Sequence, residues 1–211
     1  MFSILNRRPI IFSLLAILTA VVVGVLVGQV ALENKDHSAQ LNEAGIILLP
    51  EARDIPAVTL SGSDGKEQLM SDLTGQWTLV FFGYTFCPDI CPTTLSELRQ
   101  IKQKLPKVTK DKLRIVMISV DPDRDTPEQL KEYMKFFDPE FIGYAGKMSD
   151  IQVLSSRMSI PFVPGDKSKE YYTVDHSGNL ALLDPTGVQR GFIRAPLDIE
   201  KLVRALPQLI K

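Results

Sequence analysis

The chain has 211 residues, of which 45% are hydrophobic, and its formal net charge is −1. This length predicts one domain with additions rather than two full domains. The nearly balanced charge argues against nucleic-acid binding, because proteins that bind nucleic acids usually carry a basic excess.

An uncharged apolar stretch dominates the N-terminal region. Residues 9–32, 24 in all, carry no charge and follow Arg7 and Arg8. Roughly 20 apolar residues suffice to cross a bilayer as a helix, and the positive flank predicts a cytoplasmic start and an exported remainder. A cleaved signal peptide is the alternative, but its apolar region is shorter and ends in a small-residue cleavage site. We therefore predict that residues 1–32 form a single-pass anchor in a bacterial inner membrane, with the soluble domain facing the periplasm.

Residues 33–52 are mixed polar and are interpreted as a spacer. An apolar segment at residues 45–50 is expected to be able to pack on the domain as an extra strand. His37 also lies in this spacer and is interpreted as a solvated linker histidine. The soluble domain is predicted over residues 53–211, a length that can bury a substantial core.

The soluble domain alternates between patterns typical of strands and of helices. Residues 57–60 and 66–69 flank a Gly- and Ser-rich turn and predict a hairpin. Continuous apolar runs predict buried strands at residues 77–84 and 113–120. Further strands are predicted at residues 141–145, 171–174, 180–183 and 188–193, and helices at residues 92–105, 127–137, 149–158 and 197–210. This order predicts an α/β fold with a partly parallel sheet covered on both faces.

The two cysteines of the chain lie where a predicted strand turns into a helix. Cys87 and Cys91 are four residues apart, and Pro92 is placed at the first helical position because an interior proline loses a hydrogen bond and clashes. Cys91 is then the helix cap. The positive end of a helix favours thiolates, which are both the nucleophiles of disulfide exchange and metal ligands. A purely structural disulfide is the alternative, but so short a loop constrains the unfolded chain little.

His176 is the third candidate of the site. It follows Cys91 by 85 residues and precedes the predicted strand at residues 180–183. Thioredoxin-like domains place a proline against their cysteine pair in the equivalent loop. Two thiolates and one imidazole suit copper in either oxidation state, whereas structural zinc normally requires a fourth protein ligand. Asp89 is either a weak ligand or thiol partner, or an exposed turn carboxylate.

Three blocks of sequence together resemble the Sco/SenC family of copper-handling assembly factors for cytochrome c oxidase. They are residues 83–85 with 87–93 (GYT, CPDICPT), residues 120–127 (VDPDRDTP), and residues 175–177 with 184–187 (DHS, DPTG). The resemblance implies a thioredoxin-like fold, with copper held by Cys87, Cys91 and His176. It also implies delivery of copper to the binuclear copper site of oxidase subunit II, or reduction of the cysteines of that site.

Two functional hypotheses follow. The first is a copper metallochaperone without turnover of its own, whose partners would include oxidase subunit II and other periplasmic copper chaperones. The second is a thiol-disulfide oxidoreductase in which Cys87 and Cys91 are the redox-active thiols, working with periplasmic thiol reductants. His176 discriminates between them, because disulfide exchange needs only the two cysteines, whereas tight copper binding should need the imidazole as well.

The acidic segment at residues 121–126 has two interpretations. In the structural one it forms a strand exit, a turn and a helix cap, with Arg124 pairing neighbouring carboxylates and Thr126 capping the following helix. In the functional one it acts beside the copper-binding loop.

Overall fold

A computed structural model describes the backbone of residues 8–169 and 171–210. The side chains of residues 8–11, 26–27 and 30–37 lie outside the described part, as does Arg7. The prediction that His37 is solvated therefore concerns a side chain that the structure does not describe. Helix α1 extends over Arg8–Glu43. Within the described residues, no helix meets the combined length and apolarity that crossing a membrane requires.

The compact unit that starts at Leu41 is built on one eight-stranded sheet. Its strands are β1 (Ile46–Arg53), β2 (Thr59–Gly62), β3 (Glu67–Leu69), β4 (Trp77–Gly83), β5 (Leu113–Ser119), β6 (Ile142–Ala145), β7 (Leu180–Leu183) and β8 (Gln189–Ile193). They are arranged in the order β1-β8-β7-β4-β5-β6-β2-β3. The pairs β4–β5 and β5–β6 are parallel and the other pairs are antiparallel, so the predicted partly parallel sheet is confirmed.

The helices of this unit connect or follow the strands. They are α2 (Ile90–Lys104), α3 (Lys107–Lys110), α4 (Pro127–Phe137), α5 (Met148–Arg157) and α6 (Ile199–Leu209), with a 3-10 turn at Met70–Asp72. Helix α2 packs against α6 and α4. Thr126 caps α4, its side-chain oxygen accepting a hydrogen bond of 3.2 Å from the Gln129 N–H, as the sequence predicts.

The central strands form the core. Every residue of β7 is buried, and so is every residue of β4 and β5 except Trp77 and Arg114. The continuous apolar runs at residues 77–84 and 113–120 predict buried strands, and β4 and β5 confirm both. The apolar segment before the domain does add a strand, because β1 pairs with β8 and Ile46 is fully buried opposite Ile193.

Two local predictions are wrong. Residues 171–174 form no strand; the described part of this segment is irregular, and the nearby pairing is a single bridge between Val163 and Asp175. Pro92 is the third residue of α2, which begins at Ile90 after Asp89. The first four N–H groups of a helix have no intrahelical partner, so a proline at the third position loses no hydrogen bond.

The sheet topology brings three connecting segments to one end of the central strands. Gly83 at the end of β4 lies opposite Ser119 at the end of the parallel strand β5. Phe81 lies opposite Leu180, the first residue of the antiparallel strand β7. The segments after β4, after β5 and before β7 therefore meet. They carry the cysteine pair, the acidic segment and His176.

Candidate metal centre

Both cysteines lie at the junction of β4 and α2. Cys87 ends a tight turn, its N–H donating to the Tyr84 carbonyl at 3.3 Å, and Cys91 is the second residue of α2. Cys91 is fully buried, and the side chain of Cys87 is 9% exposed. Both are free thiols. The start of α2 before Cys91 moves this residue from the predicted cap into the first helical turn, where the positive end of the helix still acts on it.

Backbone donors point at both sulfur atoms. The Tyr84 N–H donates to Cys91 Sγ at 3.3 Å, and the Cys91 N–H donates to Cys87 Sγ at 3.4 Å. Gly83 makes room for this arrangement, because a Cβ at its position would lie 2.8 Å from Cys91 Sγ and 2.6 Å from the Phe81 ring. The sulfur of Cys91 thus packs directly on the end of β4.

The two thiols differ in acidity. A hydrogen bond from the Cys91 thiol lowers the pKa of Cys87 to about 4, helped by the N–H groups of Cys91 and Asp89 and opposed by burial. Burial raises the pKa of Cys91 above its ordinary value, and its hydrogen bond to the Cys87 sulfur adds to the rise. In the metal-free protein, Cys87 is therefore the thiolate and Cys91 is the thiol that supports it.

His176 closes the group from the segment before β7. Its Nε2 atom lies 3.3 Å from Cys87 Sγ and 3.4 Å from Cys91 Sγ. The Nδ1 atom lies 3.4 Å from the Ser177 carbonyl oxygen, so the tautomer protonated at Nδ1 would donate there and leave the Nε2 lone pair facing the sulfurs. The rings of Phe81 and Tyr84 meet the imidazole edge-on, at centroid distances of 5.8 and 5.5 Å.

The three donor atoms fit a small, soft metal ion. The two sulfurs and the imidazole nitrogen lie within 4.8 Å of one another, and within the described residues these three side chains are the one group of this kind. Thiolate ligands favour Cu(I), and imidazole suits copper as well. Asp89 contributes through its backbone, since its carboxylate is outside the group and its N–H supports the Cys87 sulfur. The structure thus favours the interpretation of Asp89 as an exposed turn carboxylate, and only its backbone N–H acts on the thiol.

An open cleft of about 440 Å³ gives access to the group. It is lined by Tyr84, Cys87, Pro88, Asp89, Ile90 and residues 173–176. The metal-binding side chains of another protein could approach the Cys87 sulfur and the imidazole from this side. Cys91 is fully buried and does not line the cleft.

Residues 52–211 match the family model described as SCO1/SenC. The chain belongs to the SCO1/SenC family.

Individual proteins of the family are also similar to this chain in sequence and in structure. A Stutzerimonas stutzeri protein named as a putative copper-binding protein is 46% identical over 175 residues, which are 83% of this chain and 86% of that protein. The human mitochondrial SCO1 homolog is 34% identical over 61% of this chain, a match that spans less than half, 44%, of the human protein. The copper-bound structure of Bradyrhizobium japonicum ScoI is 32% identical, with a TM-score of 0.65 over 73% of this chain and 98% of that one. The mixed α/β fold therefore matches the thioredoxin-like Sco structures.

The acidic segment of this SCO1/SenC protein has the predicted structural role. Arg124 pairs with Asp121, and the buried carboxylate of Asp125 joins β4 to β5. This carboxylate accepts hydrogen bonds of 2.6 Å from the Thr85 and Ser119 hydroxyl groups, and also binds the Thr85 N–H. Asp125 therefore fixes the start of the loop that carries Cys87.

Sequence reasoning missed Tyr172. Its hydroxyl donates to Asp121 Oδ1 at 2.8 Å, and its ring lies against the Arg124 guanidinium, with the carbon 3.7 Å from the ring centroid. Tyr172 lies in the segment that the sequence predicts as a strand. No local sequence signal identifies this role, because its partners Asp121 and Arg124 lie 51 and 48 positions away in the chain.

Proposed function

We propose that this SCO1/SenC protein is a copper metallochaperone that delivers copper to the binuclear copper site of cytochrome c oxidase subunit II, or prepares the cysteines of that site. It binds copper through Cys87 Sγ, Cys91 Sγ and His176 Nε2. The observation that carries this proposal is the convergence of these three donor atoms within 4.8 Å. The copper-bound structure of the Bradyrhizobium japonicum relative supports it.

The geometry suits transfer as well as storage. Copper held by these three residues would be reached from the cleft, where a target thiol or imidazole would bind it before the ligands of this chain dissociate. Cys87 and His176 line this cleft, whereas Cys91 is buried behind it. The ligands on the cleft side would exchange first, and Cys91 last.

A copper titration tests the proposal. The full-length chain, reduced and anaerobic, is titrated with Cu(I) against a competing chelator, beside His176→Ala, Cys87→Ser and Cys91→Ser. We expect one copper per chain, an affinity at least about 10-fold lower without His176, and loss of tight binding without either cysteine. His37→Ala is the matched control, because His37 is the other of the two histidines in the chain, and this variant should leave the affinity unchanged. Equal affinity of the wild type and His176→Ala would contradict the proposal.

The target is tested by transfer. The copper-loaded chain is mixed with the metal-free soluble domain of subunit II, and formation of the binuclear centre is followed by its absorption. Copper that stays on this chain, or that moves no faster than free copper does, would contradict subunit II as the recipient.

A second function has one observation in its favour, the unequal acidity of the two thiols. In a thiol-disulfide oxidoreductase, the Cys87 thiolate would attack a target disulfide, forming a mixed disulfide and releasing one target thiolate. Cys91 would then lose its proton and attack Cys87 Sγ, releasing the second target thiolate and leaving a Cys87–Cys91 disulfide. Efficient reduction of a target disulfide by His176→Ala, combined with weak copper binding by the wild type, would favour this function.

For its location we propose attachment to a bacterial inner membrane through residues 9–32, with the copper site in the periplasm. The support is the sequence itself, in which 24 uncharged residues follow two arginines. Alkaline extraction of membranes tests the attachment. Release of the full-length chain into the soluble fraction would contradict it, as would protection of the copper-binding unit from protease added to the periplasmic face.

A further inference from the structure

His176 lies in a segment that has little regular structure. Between α5 and β7, the described residues form one isolated bridge, in which the Val163 N–H donates to the Asp175 carbonyl at 2.8 Å and the Asp175 N–H donates to the Val163 carbonyl at 3.1 Å. The Val174 N–H adds a hydrogen bond of 3.2 Å to the Tyr84 hydroxyl. Because this single bridge is not continued as a β-ladder, the position of His176 depends on side-chain contacts as well as on the bridge.

One guanidinium group connects this segment to the cysteine loop. Arg124 Nη2 donates to the Tyr172 carbonyl at 3.1 Å, four residues before His176. The guanidinium carbon lies 3.7 Å from the centroid of the Tyr172 ring and 5.0 Å from that of Phe86, the residue before Cys87. It also lies 5.7 Å from the Tyr84 ring. Arg124 therefore contacts both segments that supply donor atoms to the site.

The same group is tied to the sheet through Asp121. This carboxylate is almost completely buried, and it accepts hydrogen bonds from Arg124 Nε and from the Tyr172 hydroxyl. The Asp121 N–H in turn donates to Ser119 Oγ at the end of β5. A buried carboxylate with charged and hydroxyl donors is costly to disrupt, so this contact holds Arg124 and Tyr172 in one place relative to the central strands.

We propose that Asp121, Arg124 and Tyr172 form a latch that positions His176 against the two sulfurs and thereby sets how firmly the imidazole holds copper. The three are positioning residues, since none of them belongs to the group of donor atoms. The latch rests on the proposed copper-binding function and adds to it a determinant of affinity outside the ligands. When the latch is closed, the site offers three ligands. When it is loosened, His176 leaves and the two cysteines remain.

Arg124→Lys is the most informative variant. Lysine keeps the positive charge beside Asp121, but a single ammonium cannot hold the carboxylate, donate to the Tyr172 carbonyl and stack on two rings together. We expect Cu(I) affinity to fall roughly 10-fold, and the thiolate-to-copper absorption to shift toward that of His176→Ala. Arg157→Lys is the matched control, because Arg157 Nε also donates to a backbone carbonyl, that of Asp54 at 3.1 Å. It should leave affinity and spectrum unchanged.

A double-mutant cycle separates positioning from general structural damage. If Arg124 acts through His176, adding Arg124→Lys to His176→Ala lowers the copper affinity no further. An equal loss in both backgrounds would overturn the latch. Tyr172→Phe, which removes one hydroxyl and keeps the ring, should give a smaller loss of the same kind with little change in thermal unfolding.

A metal-free measurement tests the latch independently of the proposed function. In a His37→Gln background, His176 is the remaining histidine of the full-length chain, so its imidazole NMR signals are unambiguous. We expect Arg124→Lys to shift and broaden them, and Arg157→Lys to leave them as in the wild type. Unchanged signals in Arg124→Lys would overturn the latch. Equal copper affinity of the wild type and His176→Ala would instead overturn the proposed function, and the metal-free signals would still decide the latch.

Discussion

His176 Nε2 lies 3.3 Å from Cys87 Sγ, although the two residues are 89 positions apart in the sequence. The contact follows from the antiparallel pairing of β4 and β7, which puts the end of one strand beside the beginning of the other. Cys87 lies in the turn after β4, and His176 lies shortly before β7. The site is therefore assembled by the pairing of two central strands.

The cysteines should differ in their reaction with an alkylating reagent. In the reduced, copper-free chain, iodoacetamide should modify Cys87 before Cys91, because Cys87 borders the cleft and its pKa is lowered to about 4. A folded-state pKa of about 4 leaves Cys87 ionised above about pH 5, so its rate should change little up to about pH 8. Peptide mass spectrometry measures both rates.

The unfolded chain provides the control for this experiment. In denaturant, both cysteines should react at similar rates that rise with pH toward the ordinary thiol pKa of about 8.5. Faster modification of Cys91 than of Cys87 in the folded protein would show that the assignment of the thiolate is wrong.

Gly83→Ala should disturb the copper site by crowding Cys91 Sγ from the end of β4. The new methyl group would lie 2.8 Å from Cys91 Sγ and 2.6 Å from the Phe81 ring, so we expect a loss of about 1 to 3 kcal/mol in the free energy of unfolding together with weaker copper binding. Gly75→Ala is the control. Its φ of +83° strains an alanine, but no atom lies within 4 Å of the new Cβ, so it should cost about 1 kcal/mol and leave copper affinity unchanged. Unaltered affinity in Gly83→Ala would contradict the close packing of Cys91 on β4.

Strand β1 should contribute to the stability of the compact unit. Ile46 is fully buried in β1, whereas Leu48 on the same strand is 41% exposed. We expect Ile46→Ala to lower the free energy of unfolding by about 2 to 5 kcal/mol, and Leu48→Ala by roughly 1 kcal/mol or less. Denaturant titration of the two variants measures the difference. Equal costs would mean that β1 is not part of the cooperative core.

Asp125 should make stability depend on pH. Burial raises its pKa in the folded state, against the lowering effect of the Ser119 and Thr85 hydrogen bonds. The stability that its neutral form contributes is fully present below the unfolded pKa of about 3.9 and is lost as the pH rises through the higher folded pKa. Asp125→Asn removes this titration. The free energy of unfolding of the wild type, measured relative to Asp125→Asn, should therefore increase as the pH falls from 7 toward 4. A decrease over this range would show that the hydrogen-bond donors outweigh burial.

Local sequence patterns predicted much of the fold. The continuous apolar runs identified β4 and β5, and the Thr126–Pro127 pair identified the start of α4. The segment at residues 171–174 was misinterpreted because its aromatic and β-branched residues are typical of strands, whereas Tyr172 contacts Arg124 and Asp121 instead of a strand neighbour. Pro92 was misplaced by two positions because each of the first three helical positions tolerates a proline.

The sequence by itself identified the three residues that we propose as copper ligands. Two cysteines four residues apart at a strand–helix junction and one histidine in the domain are a short-range and compositional signal, and the family resemblance reinforces it. Only the tertiary structure decided that Cys87 is the acidic thiol that borders the cleft and Cys91 the fully buried one, and that Arg124 contacts Tyr172 in the histidine segment. Burial and contacts between residues far apart in the chain depend on how the strands pair, and this pairing is set by the packing of the whole sheet rather than by any local pattern.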